Sequence, residues 1–317
     1  MDSMNILLDQ IQFGDIKTFG QLSLIPIFSK SSPVLAYHTL PEVLGGKMVR
    51  ISELDGGASV PELSISNDSG DYVLLLDGEE LIGAKQNRIM NTTIMVRPMS
   101  KMTIPVSCTE QGRWSSRSRN FDDSGVVMPF RSRYNKKRSI DTELSFSGAY
   151  KSNQRQVWDD ISEMSNASDT VSPTSAMKDV YKSRESSLEE FVNALQPSPG
   201  QTGMVVLIGG KVAGLEIFSQ ESAFQSLAPK LIKSYAMDVL LEDPEASDSP
   251  TSDSAAEFLD SLRSLSTESY KSLGEGWDHR FSGDSITGSA LTYGDEVIHA
   301  LFYNEKAAVK MNRAHGS

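Results

Sequence analysis

The chain opens with short apolar runs and changes its period near residue 150. Gln21–Ile27, Met48–Ile51, Glu62–Ser66, Tyr72–Leu76, Thr93–Val96 and Met102–Cys108 are rich in Val, Ile, Leu, Met and Thr and are cut by Gly, Pro, Asn and Asp, a pattern that predicts strands. Asp55-Gly56, Asn67-Asp68-Ser69-Gly70 and Asp77-Gly78 mark turns. Pro26, Pro61 and Pro105 mark edges or bulges, because proline cannot donate to a central ladder. Ser115–Ser147 is a long polar stretch with scattered Phe and Tyr; it reads as a loop, part of it mobile.

Helical spacing then takes over. Asn153–Ser165 places Val157, Trp158, Ile161 and Met164 on one face. Ser172-Pro173 reads as the first turn of a helix that runs through Met177, Val180, Tyr181 and Leu188 to Leu195, where Pro197, Pro199 and Gly200 stop it. Ser222–Leu241 and Ala255–Leu273 read as two further helices. Met204–Ile208 with Lys211–Phe218, and Ser289–Tyr293 with Glu296–Phe302, read as hairpins around glycine turns. Leu75–Gly83 has the same strand, glycine, strand form; common turn chemistry explains the echo more simply than duplication does.

These elements imply an α+β fold, strand-rich with antiparallel hairpins in the N-terminal part and with helices mainly in the C-terminal half. A single domain is expected over residues 1–305, strand-rich over 1–130 and mixed over 150–305. Flexible loops are expected near 115–147 and 243–254, the second a Ser-, Asp- and Pro-rich linker, and a loose tail over 306–317.

Composition narrows the function classes. With 317 residues, 38% hydrophobic and 23% charged, the chain is globular and long enough for a sizeable core. No apolar run approaches the roughly 18 residues of a membrane span, and Met1–Leu8 lacks the features of a signal peptide. The single cysteine, Cys108, excludes an internal disulfide framework and fits a reducing compartment, so a cytoplasmic location is expected. A net charge of −12 argues against duplex DNA or an anionic membrane as partner. Yet Lys85–Arg138 holds twelve Lys/Arg against three acids, a local charge of +9 in an acidic protein. Such an island suits a phosphate-bearing small molecule.

The same window carries the densest reactive chemistry. Lys85, Gln86, Asn87, Arg88 and nearby Asn91 can offer several directed hydrogen bonds to phosphate or carboxamide; the plainer alternative is a polar loop that caps its own backbone. In Cys108-Thr109-Glu110-Gln111-Gly112-Arg113-Trp114, Glu110 can clamp ribose hydroxyls or act as a base, Gln111 and Arg113 can hold phosphate, and Trp114 can stack a base. The alternative is a structural Arg–Glu pair with Trp114 in the core. Strand alternation puts Cys108 and Glu110 on one side, and the carboxylate there disfavours a thiolate, so Cys108 is expected to be a partly buried thiol and not a nucleophile. Glu79 and Glu80 are further candidates for general acid or base; on a strand only one of them faces any given site, and both also read as exposed acids at a hairpin tip. Thr93–Val96 and Met102–Cys108 are expected to pair, bringing Lys85–Arg88 and Glu110–Trp114 onto one concave surface. His38, His279, His299 and His315 lie far apart, no metal site is expected, and P-loop, dinucleotide-binding glycine and nucleophile-elbow motifs do not occur.

Two long runs carry a resemblance. Leu76-Asp-Gly-Glu-Glu-Leu-Ile-Gly-Ala-Lys-Gln-Asn-Arg-Ile-Met-Asn-Thr-Thr-Ile94 and Ile104-Pro-Val-Ser-Cys-Thr-Glu-Gln-Gly-Arg-Trp114 resemble the bacterial family named for its association with ADP-ribosylglycohydrolases and rhodanese/phosphatase-like proteins, the ARPP domain. The likeness extends through Val157-Trp158, Ser172–Ser175, Val180-Tyr181, Gly209–Phe218 and Pro229–Tyr235, and so over most of the chain. It implies a link to ADP-ribose or NAD chemistry and assigns no residue a role. The expected function is binding, with processing left open, of an ADP-ribose- or NAD-related nucleotide in a basic pocket. The cofactor is unknown. A non-catalytic sensor or scaffold, or a homo-oligomer that uses the basic strip as a contact surface, is the alternative.

Overall fold

The computed structural model describes residues 2–310 apart from 31, 32, 45, 47, 55–60, 114, 116, 117 and 243–248. Along the chain run α1 (Asp2–Gln10), β1 (Ile11–Phe13), β2 (Lys17–Phe19), β3 (Leu22–Ser29), β4 (Tyr37–Thr39), α2 (Leu40–Val43), β5 (Val49–Glu53), β6 (Glu62–Asn67), β7 (Tyr72–Leu75), β8 (Glu79–Gly83), β9 (Arg88–Met90), β10 (Ile94–Val96), β11 (Ser100–Cys108) and β12 (Phe121–Val127). Then come α3 (Phe130–Ser147), α4 (Gln154–Ala167), α5 (Met177–Ser183), α6 (Glu185–Ala194), β13 (Gly203–Ile208), β14 (Lys211–Phe218), α7 (Glu221–Glu242), α8 (Ser252–Ser261), β15 (Ser266–Lys271), β16 (Trp277–Ser282), β17 (Ile286–Tyr293), β18 (Glu296–Asn304) and α9 (Glu305–Lys310). The fold is α+β, its sheets antiparallel except for the parallel pair β4–β7, with its helices mainly in the C-terminal half.

The chain forms two compact units. Unit 1 comprises Met1–Leu35, Glu189–Ser272 and Gly276–Ser317; unit 2 comprises Ala36–Leu188 and Leu273–Glu275. Unit 1 is built on one antiparallel sheet in the order β1-β3-β13-β14-β18-β17-β16-β15, with β2 on β3. Both hairpins expected from glycine turns, β13–β14 and β17–β18, are present in register. One sheet face buries Ile25, Ile27, Val205, Leu207, Leu215, Ala300 and Phe302 with Met4, Leu7 and Leu8 of α1 and Phe258 and Leu259 of α8.

Unit 2 has a six-stranded sheet, β12-β8-β9-β11-β6-β5, and a three-stranded one, β10-β7-β4. A bridge between Ser52 and Asn120 joins the first sheet's two edges, so it curls into a small barrel. Inside lie Val49, Ile51, Leu63, Ile65, Leu81, Met90, Ile104, Val106 and Phe121. Burying this many apolar side chains, each worth about 1.5–3 kcal/mol, supplies the unit's main driving force.

Several expectations are corrected. Residues 115–147 are not a loop: β12 and α3 occupy most of them. The α3 face that packs inward holds Phe130, Tyr134, Ile140 and Leu144 but also Arg133, Lys136 and Lys137, so its apolar period is interrupted by cations and does not show in the hydropathy pattern. Thr93–Val96 and Met102–Cys108 do not pair; β10 lies on β7, and β11 lies between β6 and β9. For the same reason β7 and β8 fall in different sheets, so the Leu75–Gly83 echo is not a hairpin. Pro173 does not open a helix: residues 172–176 are a connecting loop, and two helices, α5 and α6, follow it. Residues 266–271 form the edge strand β15 on β16 rather than the end of a helix. Within the linker expected over 243–254, residues 243–248 lie outside the described residues and Ser252 already begins α8. The tail begins with a helix, since α9 runs to Lys310; residues 311–317 lie outside the described residues.

Lys136 shows why α3 is ordered. Its ammonium is buried and donates to the Asp77 carboxylate and to the carbonyls of Met90 (3.0 Å) and Asn91 (3.1 Å). Removing one partner of such a pair leaves a buried charge uncompensated, which costs about 3–5 kcal/mol. Lys136→Met is therefore expected to lower unfolding stability by about that amount. Lys136→Met combined with Asp77→Asn is expected to recover a large part of it. Urea titrations of the two variants check this, and equal losses would show that the pair is not the cause.

Candidate functional site

The residues singled out in the two long motifs do converge in unit 2, and they do so through hydrogen bonds. β9 and β11 pair with Cys108 opposite Arg88, and Thr109 N–H donates to Asn87 O (3.0 Å), which carries the second motif past the first. Glu110 is buried at that point. Its Oε1 accepts from Arg113 Nε (2.9 Å) and Thr174 Oγ1 (2.8 Å), and its Oε2 accepts from Arg113 Nη2 (2.6 Å) and the Asn87 amide (3.2 Å). Arg113 also donates to the carbonyls of Ala84 (2.6 Å), Ser115 (2.9 Å) and Gly83 (3.2 Å) and to Asn87 Oδ1 (3.2 Å). A bidentate pair of this kind fixes both orientation and distance. Burial pushes the Glu110 carboxyl up, but the Arg113 and Thr174 bonds and the Arg113 charge outweigh it and hold the group below the usual glutamate range.

A third segment joins here. Gly112 N–H donates to Thr174 O (2.8 Å) and Met177 N–H to Thr109 O (2.9 Å), so residues 172–177 lie along 109–112. Gly112 suits this approach, because a Cβ there would stand 3.0 Å from Thr174 Cα, tighter than ordinary contact. Ala84 and Ser175, both at the junction, have positive φ (39° and 51°) without being glycine. Such strain persists only where surrounding bonds impose it, and it is concentrated at functional sites.

Glu80 is the chemically distinct member. It projects from the face of β8 opposite to Leu81, which points into the barrel. The side chain is fully buried, Oε1 accepts from Thr109 Oγ1 (2.7 Å), and Oε2 has no hydrogen-bond partner among the described residues. Burial drives its pKa up to about 7 against smaller opposing effects of Thr109, Ser124 and Lys178, while nearby Glu110 adds to the rise. Ser124 and Lys178 are half-buried. Ser124 sits in a β-bulge where the β12–β8 register shifts between Asp123 and Val127, and Gly125 there has φ +80°. Bulges of this kind re-aim side chains next to active sites. α5, which carries Lys178, packs on β12, and the Tyr181 hydroxyl donates to Val127 O (2.5 Å).

The other candidates fall elsewhere. Glu79 is fully buried on the opposite side of β8 and accepts from the Leu76 amide (2.8 Å), closing the turn; neither it nor Glu80 is an exposed hairpin-tip acid. Asn91 donates to Tyr150 O (2.9 Å) and accepts from Ser107 Oγ (2.6 Å). Gln111 is exposed, and its carbonyl accepts from Gln86 Nε2 (3.5 Å). Lys85 is half-buried, and Trp114 lies outside the described residues. Cys108 is buried and its pKa is raised, as expected, but the cause differs: burial dominates, Glu53 adds to it, and Arg88 opposes it. Glu216 belongs to unit 1, where it is buried against His299 Nε2 (3.3 Å) and Tyr235 (3.5 Å).

The basic island is divided: Arg97, Lys101, Arg119 and Arg138 are exposed, but much of the rest is internal. Arg88, Arg113, Arg133, Lys136 and Lys137 are all buried. Arg113 has each of its nitrogens bonded to protein acceptors, so it organises the loop and has no nitrogen left over for a phosphate in this conformation. Sequence reading missed Thr109, Ser124, Thr174 and Lys178. Thr109, inside the long motif, and Thr174, inside the Ser172–Ser175 stretch that shares the resemblance, carried a signal; Ser124 and Lys178 are brought in by a bulge and by α5, with none of their own.

A family model described as the ARG and Rhodanese-Phosphatase-superfamily-associated Protein domain matches residues 10–303. The chain belongs to this family. No curated protein and no solved structure matches it. The match covers segments of both units and includes every residue of the cluster around Glu80 and Glu110. No helix among the described residues is long and apolar enough to cross a membrane.

Two outcomes are expected. Glu80 has a folded-state pKa near 7 against an ordinary 4.5, so the folded state binds its proton more tightly. Its contribution to stability is full below about pH 4.5 and is lost as pH rises through 7, a swing of roughly 3 kcal/mol. Glu80→Gln, which stays neutral, should flatten this dependence and gain stability relative to the parent at pH 8; parallel urea melts at pH 5 and pH 8 that show the same slope in both proteins would refute it. Arg113→Lys keeps the charge and loses the fork. It should cost about 2 kcal/mol or more of unfolding stability, whether or not ligand is added, because Glu110 and several carbonyls lose charged donors.

Proposed function

We propose that unit 2 binds an ADP-ribose- or NAD-related nucleotide and that Glu80 transfers a proton in processing it, in the reducing cytoplasm that a single cysteine fits. The observation that carries this reading is the Glu80 carboxyl itself, buried beside a second carboxylate with a pKa of about 7. A group poised near the working pH is half available as acid and half as base, which is where general catalysis is most efficient. Buried groups perturbed in this way cluster at functional sites. The family's association with ADP-ribosylglycohydrolase and rhodanese/phosphatase proteins supports the nucleotide class.

The roles divide by environment. Glu110, held ionised by Arg113, cannot serve as the acid; it orients the Asn87 amide and the Thr174 hydroxyl. Thr109 fixes the Glu80 rotamer through its 2.7 Å bond. Lys178 is the nearby cation for a phosphate, in place of Arg113, whose nitrogens are all bonded to the protein. Ser124, on the bulge, offers a hydroxyl to a ribose or to an attacking water. One observation favours the non-catalytic alternative: Arg113 of the second motif is spent on the protein itself, as in a scaffold. The raised pKa of Glu80 supports the enzyme reading over the scaffold one, because groups perturbed in this way cluster at functional sites.

Purified protein incubated with NAD, ADP-ribose and an ADP-ribosylated peptide tests this. Turnover of at least one is expected, with a pH profile that bends near 7. Glu80→Gln should lower kcat by about a hundredfold or more and remove that bend. No binding of any pyrophosphate nucleotide by the parent, or full activity in Glu80→Gln, would end the proposal.

A further inference from the structure

The barrel of unit 2 is apolar for most of its length and polar at one end. Strand alternation accounts for the layout. Ile51 and then Glu53 on β5, Val106 and then Cys108 on β11, and Met90 and Arg88 on β9 share the inward face. Arg88 pairs across the sheet with both Leu81 and Cys108. The last inward layer therefore holds a guanidinium, a carboxylate and a thiol. Cys108 is pinned there, because the Gln154 side chain accepts from its amide (2.7 Å) and donates to its carbonyl (2.9 Å).

The polar groups of this layer are not satisfied by one another. Arg88 is fully buried, and its Nη1 donates to Gln86 Oε1 (3.2 Å) and Asn87 O (3.3 Å). The other edge of the fork, Nε and Nη2, has no hydrogen-bond partner among the described residues. Glu53 Oε1 stands 3.9 Å from Nη2, too far for a hydrogen bond, and its buried Oε2 also has no hydrogen-bond partner among the described residues. Glu53 keeps 17% of its side chain exposed, whereas Arg88 is fully buried. A buried guanidinium edge and a buried carboxylate oxygen left side by side are costly to the fold, and unsatisfied groups of this kind call for an occupant.

We propose that this end of the barrel binds a planar neutral group that presents an acceptor beside an N–H donor. The acceptor would take the Nε/Nη2 edge of Arg88, and the donor would go to Glu53 Oε2. A primary carboxamide and the amino edge of a purine share this chemistry. An anion would satisfy Arg88 and be repelled by Glu53; a cation would face the reverse. Mouths of small barrels are common ligand sites for the same geometric reason, a rigid concave end with few directed polar groups. The site lies on the barrel-facing side of the sheet, whereas Glu80 lies on the other side, so it does not rest on the catalytic reading.

Nicotinamide, adenine and nicotinate serve as probes on the full chain, in thermal shift and calorimetric titration. At least one of the first two is expected to bind and raise Tm, and which one does identifies a carboxamide or a base edge. Nicotinate should bind at least about tenfold more weakly, a difference of roughly 1.4 kcal/mol. Glu53→Gln, partly exposed and so expected to fold, should weaken the neutral probe about tenfold or more, and Arg88→Lys should abolish binding. The chain has one cysteine, so intact mass reads alkylation of Cys108 alone, and bound probe should slow it. Glu80→Gln should bind the probe as the parent does, even where nucleotide turnover is lost. Binding of the neutral probe with no turnover of any nucleotide would leave this site standing and remove only the catalytic reading. Absence of binding by both neutral probes, meaning ordered water only, would overturn the proposal. Equal binding of nicotinate, undiminished binding by Glu53→Gln, or loss of probe binding in Glu80→Gln would do the same.

Discussion

A cation enters a protein interior only with acceptors beside it, and unit 2 is organised around that requirement. Arg113 gathers the carbonyls of Ala84, Gly83 and Ser115 together with the Glu110 carboxylate. Lys136 does the same with Asp77 and two carbonyls. Each such group joins segments far apart in sequence. Arg113 brings residues 83–87 to residues 110–115, and through Glu110 it reaches Thr174. The geometry that places Glu80 beside Thr109 follows from this, since Thr109 is held by Asn87 on one side and Met177 on the other. A buried pair is weak evidence for net stability, and its consequence here is the arrangement it fixes, because Arg113 and Glu110 together tie residues 83–87, residues 110–115 and Thr174 to one another.

The same requirement explains what was and was not legible in the sequence. Strands β3, β5, β6, β7 and β11 could be read because apolar side chains dominate their inward faces, and the two hairpins of unit 1 because Gly209-Gly210 and Gly294 declare the turns. α3 could not be read. Its inward face mixes Phe130, Ile140 and Leu144 with Arg133, Lys136 and Lys137, and a hydropathy pattern counts the cations as solvent-facing. Helix α4 shows the contrast, for Val157, Ile161 and Met164 carry its buried face and Asn153 caps its start. β15 was missed for a different reason. As an edge strand of Ser, Thr, Glu, Tyr and Lys it buries almost nothing, and its pairing with β16 rests on backbone bonds and polar side-chain contacts such as Ser269–His279 rather than on apolar burial.

The site was legible as a place but not as an arrangement. Two runs with amides, carboxylates and arginines pointed to one region, and the structure brings Asn87 and Gln86 to Glu110, Gln111 and Arg113. The division of labour was hidden. Charge counting made the arginines look like ligand-binding groups, yet burial turns Arg113 into framework. Glu80 looked like an exposed acid at a turn, yet it is the one carboxyl in the cluster whose proton is loosely balanced. Burial, not residue type, decides between these roles, and it depends on β12, α5 and the 172–176 loop, none of which has a local sequence signature that ties it to β8.

Glu80 and Glu110 show how one unit can hold two carboxyls in opposite states. Both are buried, and burial by itself raises both. Glu110 has a guanidinium, a hydroxyl and an amide on its two oxygens and stays ionised. Glu80 has only the hydroxyls of Thr109 and Ser124 and a weaker pull from Lys178 to favour its anion, and the fixed negative charge of Glu110 adds to its difficulty in ionising. The Arg113 pair therefore acts on Glu80 twice: it fixes the loop that delivers Thr109, and it keeps a neighbouring carboxylate charged. Separation of two titratable groups in this way is the pattern by which proteins assign acid and base roles at neutral pH. It follows that Glu110 is a positioning residue whose loss should move the Glu80 pKa down as well as loosen the loop, so the pH midpoint of any activity, more than its maximum, carries the information about how the two carboxyls are coupled.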